Sequence, residues 1–143
     1  MSKKKHKHVR LYTDGGARGN PGPSGAGAVL KVMKDGEEET VDTLKKFLGE
    51  TTNNQAEYRA LILGLKRAKK LGAETVEAFL DSQLAVKQLN REYKVKDPEL
   101  GKRFLEVWNL LQAFEGVTFK HIRREKNTEA DALVNEAIDE HIG

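Results

Sequence analysis

"HVRLYTDGGARGNPGPSGAGAVLKVM", residues 8–33, decides the fold. Its first seven residues alternate, with Val9, Leu11 and Thr13 on one side and Arg10, Tyr12 and Asp14 on the other, which is the period of a β-strand. Glycine, proline and small polar residues follow, so the pattern predicts that a first strand ends at Asp14 and a loop begins, Asp-Gly being a common turn opener. "GAGAVLKVM" (25–33) predicts a second strand and "EEETVDTLKKFLGE" (37–50) a third, joined by "KDG", a hairpin signal. Three consecutive antiparallel strands are therefore expected.

The period then changes. From Gln55 to Leu71 the apolar positions Ala56, Ala60, Leu61, Leu65 and Ala68 recur at helical spacing, with Gly72 following as the residue that closes the helix. "ETVEAFLD" (74–81) reads as a buried fourth strand, "SQLAVKQLNRE" (82–92) as a second helix, and "DPELGKRFLEVWNLLQAF" (97–114) as a third with Asp97 as N-cap and Pro98 at its first position. "GVTFKHI" (116–122) is a fifth strand and "NTEADALVNEAIDEHI" (127–142) a closing helix. Helices after strands four and five imply right-handed crossovers, so strands one, four and five should run parallel beside the antiparallel hairpin. The expectation is an α/β fold, a mixed five-stranded sheet flanked by helices.

Composition narrows the function classes. A chain of 143 residues that is 38% hydrophobic suits one domain. Without cysteine it has no disulfide framework and no thiolate metal site, so a metal would be held by oxygen or imidazole. No apolar run reaches the roughly 18 residues of a membrane span, and "MSKKKHKHV" lacks the apolar core of a signal peptide, which leads to the expectation of a cytoplasmic protein with no membrane partner. The net charge of +3 owes much to Lys3, Lys4, Lys5 and Lys7; without them residues 9–143 carry −1. Residues 1–8 are expected to be a basic disordered tail, either a solubilising arm or a weak electrostatic anchor for nucleic acid.

Four acids each have a local explanation. Asp14 opens a turn; Glu57 lies three residues after Asn54, the spacing of a capping box; Asp81 precedes a helix as a candidate N-cap; Asp131 lies three residues after Thr128, another capping pattern. Their directions tell more. Glu57 heads the series 57, 61, 64, 68, 71, the apolar stripe of its helix, and Asp131 heads 131, 134, 138, so both face the sheet. Asp14 and Asp81 end parallel neighbouring strands, and ligands of open α/β sheets bind at that edge. Four converging carboxylates repel unless cations lie between them, and oxygen ligands select Mg²⁺ or Mn²⁺, as a pair of ions about 4 Å apart in phosphoryl displacement.

The segments "YTDGGARGNPGPSGAGAVL", "TTNNQAEYRAL", "LDSQLAV" and "NTEADALVNEA" resemble, in order, the active-site segments of type 1 ribonuclease H, over Val9 to about Asp139. The resemblance implies a ribonuclease H domain over residues 9–143 that cuts the RNA strand of an RNA/DNA hybrid with two Mg²⁺ ions, leaving a 3′-hydroxyl and a 5′-phosphate. Asp14 would bridge both ions, Asp131 would help hold the ion that activates water, and Glu57 with Asp81 would hold the ion near the leaving oxygen. It also implies hybrid contacts from Asn20, Asn53, Asn54 and Gln83 and a grip on a DNA phosphate by Thr52. Gly15 and Gly16 would let backbone approach the minor groove, where the 2′-hydroxyl is read. A monomer is expected.

Two departures stand out. Bacterial relatives often carry a histidine on the loop before the last helix, whereas here that loop is "RREKN" (123–127); Arg124, Glu125 or Lys126 would have to substitute, and His121 is expected to be a packed or edge residue of strand five. Some members also insert a basic helical handle, for which this chain has only Lys87, Arg91, Lys94, Lys96, Lys102 and Arg103 as a smaller phosphate patch. Rival readings are a noncatalytic nucleic-acid-binding domain of the same fold and an enzyme that also cuts double-stranded RNA.

Overall fold

Each predicted strand and helix is present, in the predicted order. The computed structural model describes residues 6–142. It contains β1 (His8–Ala17), β2 (Gly22–Lys34), β3 (Glu37–Thr51), α1 (Asn53–Lys70), β4 (Thr75–Leu80), α2 (Gln83–Leu89), α3 (Pro98–Leu111), β5 (Gly116–His121), a 3-10 turn at Arg124–Lys126 and α4 (Thr128–Ile142). The sheet order is β3-β2-β1-β4-β5, with β1–β2 and β2–β3 antiparallel and β1–β4 and β4–β5 parallel. β3 and β5 are the edges, and β1 is the strand at which direction switches.

Local chemistry explains the clearest elements. The β2–β3 hairpin turns on Asp35 and Gly36, at φ 53 and 82, the two left-handed residues that a tight primed turn requires. Leu71 closes α1 and Gly72 follows at φ 82, as the helix-closing glycine should. Asp97 caps α3 by accepting from the Glu99 amide, with Pro98 next to it.

The first strand departs from expectation. β1 does not stop at Asp14: it stays paired with β2 through Asp14↔Gly27, Gly15↔Ala26, Gly16↔Gly25 and Ala17↔Ser24, and only residues 18–21 turn. Gly15 and Gly16, which looked like a loop, are strand residues, whereas Gly19 lies in the turn at φ 85. The lower half of β1 contributes Val9 and Leu11, fully buried, to a core shared with Leu30, Leu61, Leu65, Val76, Ala78 and Leu80. Within it α1 packs on β1 and β2, and Gly64 is the point where the Leu11 side chain meets the helix axis. Helix α4 covers β2 around Gly25 and Gly27.

The order of the chain also begins earlier than predicted. Lys3, Lys4 and Lys5 of the expected tail lie outside the described residues. The Lys7 carbonyl, however, accepts from the Glu74 and Thr75 amides at 2.8 and 3.0 Å, and His8 already pairs with Thr75 as the first residue of β1, so these two residues belong to the domain. Among the described residues no helix is long and apolar enough to cross a membrane.

Candidate active site

Asp14 from β1, Glu57 from α1, Asp81 just beyond β4 and Asp131 from the first turns of α4 line one cleft of about 380 Å³. Ligand oxygens of Asp14, Glu57 and Asp81 lie within 4.8 Å of one another. Asp131 faces the same cleft but stands outside that closest group. Asp14 and Glu57 are each 8% exposed, so two of the acids are held almost out of water.

Backbone contact sets this spacing. A Cβ on Gly15 would stand 2.1 Å from the carbonyl oxygen of Ala56, the residue before Glu57, and one on Gly27 would stand 2.4 Å from that of Ala130, the residue before Asp131. Glycine at these two positions lets the acid-bearing helices rest directly on the sheet beside the acids. Gly16 is different: the nearest atom to its missing side chain is Val134 Cγ1 at 3.8 Å, and the residue lines the open cleft.

The electrostatics are those of crowded acids. Burial, then the charge of Asp81 and the proximity of Asp131, push Asp14 up from 3.8 to about 8. Burial and the Asp14 charge hold Glu57 well above the ordinary carboxylate range, although the Gly15 amide hydrogen-bonds it and pulls the other way. Glu57 Oε2 is buried without a hydrogen-bond partner. An acceptor-only set of oxygens with an orphaned lone pair fits a hard divalent cation, which would relieve both the repulsion and the unmet acceptor.

Capping does not account for these acids. The N-cap of α1 is Thr52, whose hydroxyl accepts from the Gln55 amide at 3.2 Å, not Asn54. The N-cap of α2 is Ser82, which accepts from the Ala85 amide, and not Asp81. Before α4, Asn127 accepts the Asp131 amide through its own carbonyl. Asn127 was not singled out by the sequence: an asparagine preceding T-x-x-D looks like one more cap, yet its side chain bonds across to β1 and to Asp81.

The other predicted residues divide. Gly15, Gly16, Asn53 and Asn54 line the cleft, together with Ser82, Arg18 and Arg124. Asn53 Oδ1 accepts from the Ala17 amide at 2.8 Å, and Asn20 Oδ1 accepts from the Asn53 amide at 3.0 Å, so these two asparagines tie the β1–β2 turn to the start of α1. Asn20, Thr52 and Gln83 are not among the residues lining the cleft; Asn20 and Gln83 are exposed, and Gln83 opens α2 next to the lining residue Ser82. Of the three candidates in "REK", Arg124 alone lines the cleft. His121 is an exposed residue at the end of edge strand β5. In the basic stretch, Lys102 pairs with Glu99, Arg103 pairs with Glu106 and donates to Gln55 Oε1 at 3.1 Å, and Arg91 lies over the Trp108 ring.

A five-stranded mixed sheet with carboxylates gathered where β1 and β4 part defines the class of ribonuclease H-like folds. The family model described as reverse transcriptase-like matches residues 12–137. The structure of RNase H1 from the halophilic archaeon Halobacterium salinarum NRC-1 is 41% identical with a TM-score of 0.88, covering 93% of this chain and 98% of that one. LC11-RNase H1, solved in complex with RNA/DNA hybrid, is 42% identical with a TM-score of 0.87, covering 94% and 99%. The bifunctional protein Rv2228c of Mycobacterium tuberculosis is 42% identical over 131 residues, which are 92% of this chain and 35% of that protein. The chain thus spans about a third of the length of the mycobacterial relatives it matches. It belongs to the ribonuclease H family.

Proposed function

We propose that this protein is an endoribonuclease that hydrolyses the RNA strand of RNA/DNA hybrids, leaving a 3′-hydroxyl and a 5′-phosphate. Two Mg²⁺ ions, with Mn²⁺ as a substitute, would be held by Asp14, Glu57, Asp81 and Asp131. The observation that carries the reading is the approach of three carboxylates from three elements to within 4.8 Å, two of them with raised proton affinity. When bound, such a pair supplies a water acidified toward neutrality and offsets charge on the departing oxygen.

The chain's own groups do the rest. Asn20 and Asn53 hold the turn against α1, which keeps Gly16 and Asn54 open toward a minor groove where a 2′-hydroxyl can be sensed. Gln83 would contact the hybrid, and Thr52 would help grip a phosphate of its DNA strand. Arg124 stands in the cleft where relatives place a histidine, and its planar fork of N–H donors suits it to attract and orient phosphate. The setting is a monomer working in the cytoplasm.

The decisive measurement incubates end-labelled RNA/DNA hybrid, double-stranded RNA and double-stranded DNA with the protein, in Mg²⁺ or chelator, beside Asp14→Asn. Cleavage of hybrid RNA in Mg²⁺ alone, lost by at least about 1,000-fold in the variant, is expected. Cutting that ignores chelator would refute the metal-dependent reading, tight binding without cutting would favour a noncatalytic domain, and equal cutting of double-stranded RNA would widen the substrate class.

A further inference from the structure

Asn127 touches three of the four acid-bearing elements at once. It lies between the 3-10 turn and α4 and is 1% exposed. Its Nδ2 donates to the Thr13 carbonyl of β1 at 2.8 Å and to Asp81 Oδ2 at 3.0 Å, while its backbone carbonyl accepts from the Asp131 amide at 3.1 Å. Both side-chain neighbours are acceptors, so the amide nitrogen and not the oxygen must face them. The position is structurally special too: the parallel ladder between β1 and β4 ends at Thr13↔Leu80, and the amide donor stands just past that end, between the strands as they part. Asn127 Oδ1 is buried with no partner. An amide kept at the cost of an unmet acceptor is explained by what its donors hold rather than by packing.

We propose that Asn127 is a positioning residue for the carboxylate centre. It occupies one oxygen of Asp81 and leaves the other to face Asp14 and Glu57, and the same side chain fixes the start of α4, and with it Asp131, against β1. Groups that orient ligands in this way typically change metal affinity by about 10- to 100-fold when removed. The inference rests on the divalent-cation reading above and concerns how that site is held, independently of which nucleic acid is cut.

The test is calorimetric titration of Mg²⁺ into the substrate-free protein, comparing the original chain, Asn127→Leu, Asp81→Ala and the double variant, each confirmed folded by circular dichroism. Leucine keeps the volume and removes the donors. Mg²⁺ affinity should fall about 10- to 100-fold in Asn127→Leu. The same substitution should cost several-fold less when Asp81→Ala is already present, because the carboxylate it orients is gone and only its tie to Thr13 is left to lose. Unchanged affinity in Asn127→Leu, or the same loss in both backgrounds, overturns the proposal. Should the leucine variant fail to fold, Asn127→Ala also removes the donors and is read against the same two criteria. A protein that binds Mg²⁺ through this linkage yet leaves hybrid uncut would refute the nuclease reading and leave the positioning role standing.

Discussion

Asp14 carries most of the electrostatic conflict in the molecule. Its folded proton affinity corresponds to about 8 against an ordinary 3.8. Between those values the native metal-free chain keeps a proton that the unfolded chain has released, so stability is full below about pH 4 and declines as pH rises toward 8. Asp14→Asn removes this penalty. In chelator its Tm should exceed that of the original chain by about 5 °C at pH 8, and the gap should close near pH 4, as followed by circular dichroism. Added Mg²⁺ should reverse the ranking by stabilising only the chain with all four acids. The four acids were legible because Glu57 and Asp131 occupy apolar stripes, where a carboxylate needs a reason. Asn127 was not: nothing in its neighbourhood along the chain announces a bond to Thr13, a residue 114 positions away.

Periodicity carried the elements well, and glycine misled it. A run of glycines normally weakens a strand, so β1 was expected to end at Asp14; Gly15 and Gly16 instead stay in the sheet, and at Gly15, as at Gly25 and Gly27 of the expected second strand, a helix lies where a side chain would be. Close approach between distant segments leaves no period in either one. The two kinds of glycine can be told apart by substitution. Gly27→Ala, forced against the Ala130 carbonyl, should destabilise by about 3 kcal/mol in urea unfolding. Gly101→Ala, in α3 with nothing within 4 Å, should instead stabilise by about 0.5–1 kcal/mol. The caps were misassigned for a related reason: Thr52 and Ser82 each sit beside another polar residue able to cap, and only the backbone angles choose between them.

Charge acts on the scale of the whole molecule. Residues 9–143 carry −1, and without the four site acids the same stretch would carry +3. A mildly basic surface therefore surrounds an acidic cleft, an arrangement suited to receiving a polyanion only when the acids are neutralised. Replacing all four acids by their amides should tighten binding of the hybrid in chelator by about tenfold in fluorescence anisotropy, with the gain shrinking as salt is raised. No gain would mean that phosphates do not come near the cleft.

The outer edge of the sheet has a consequence of another kind. β3 is a fifteen-residue strand with one side unpaired, long enough to template a neighbouring copy into a continuous ribbon. Along it stand Glu37, Glu38, Glu39, Asp42, Lys45, Lys46 and Glu50. Two such edges could join only by crowding those charges together, so fibrous assembly in a concentrated or crowded solution is resisted by the side chains of the edge itself, with no need for a covering element.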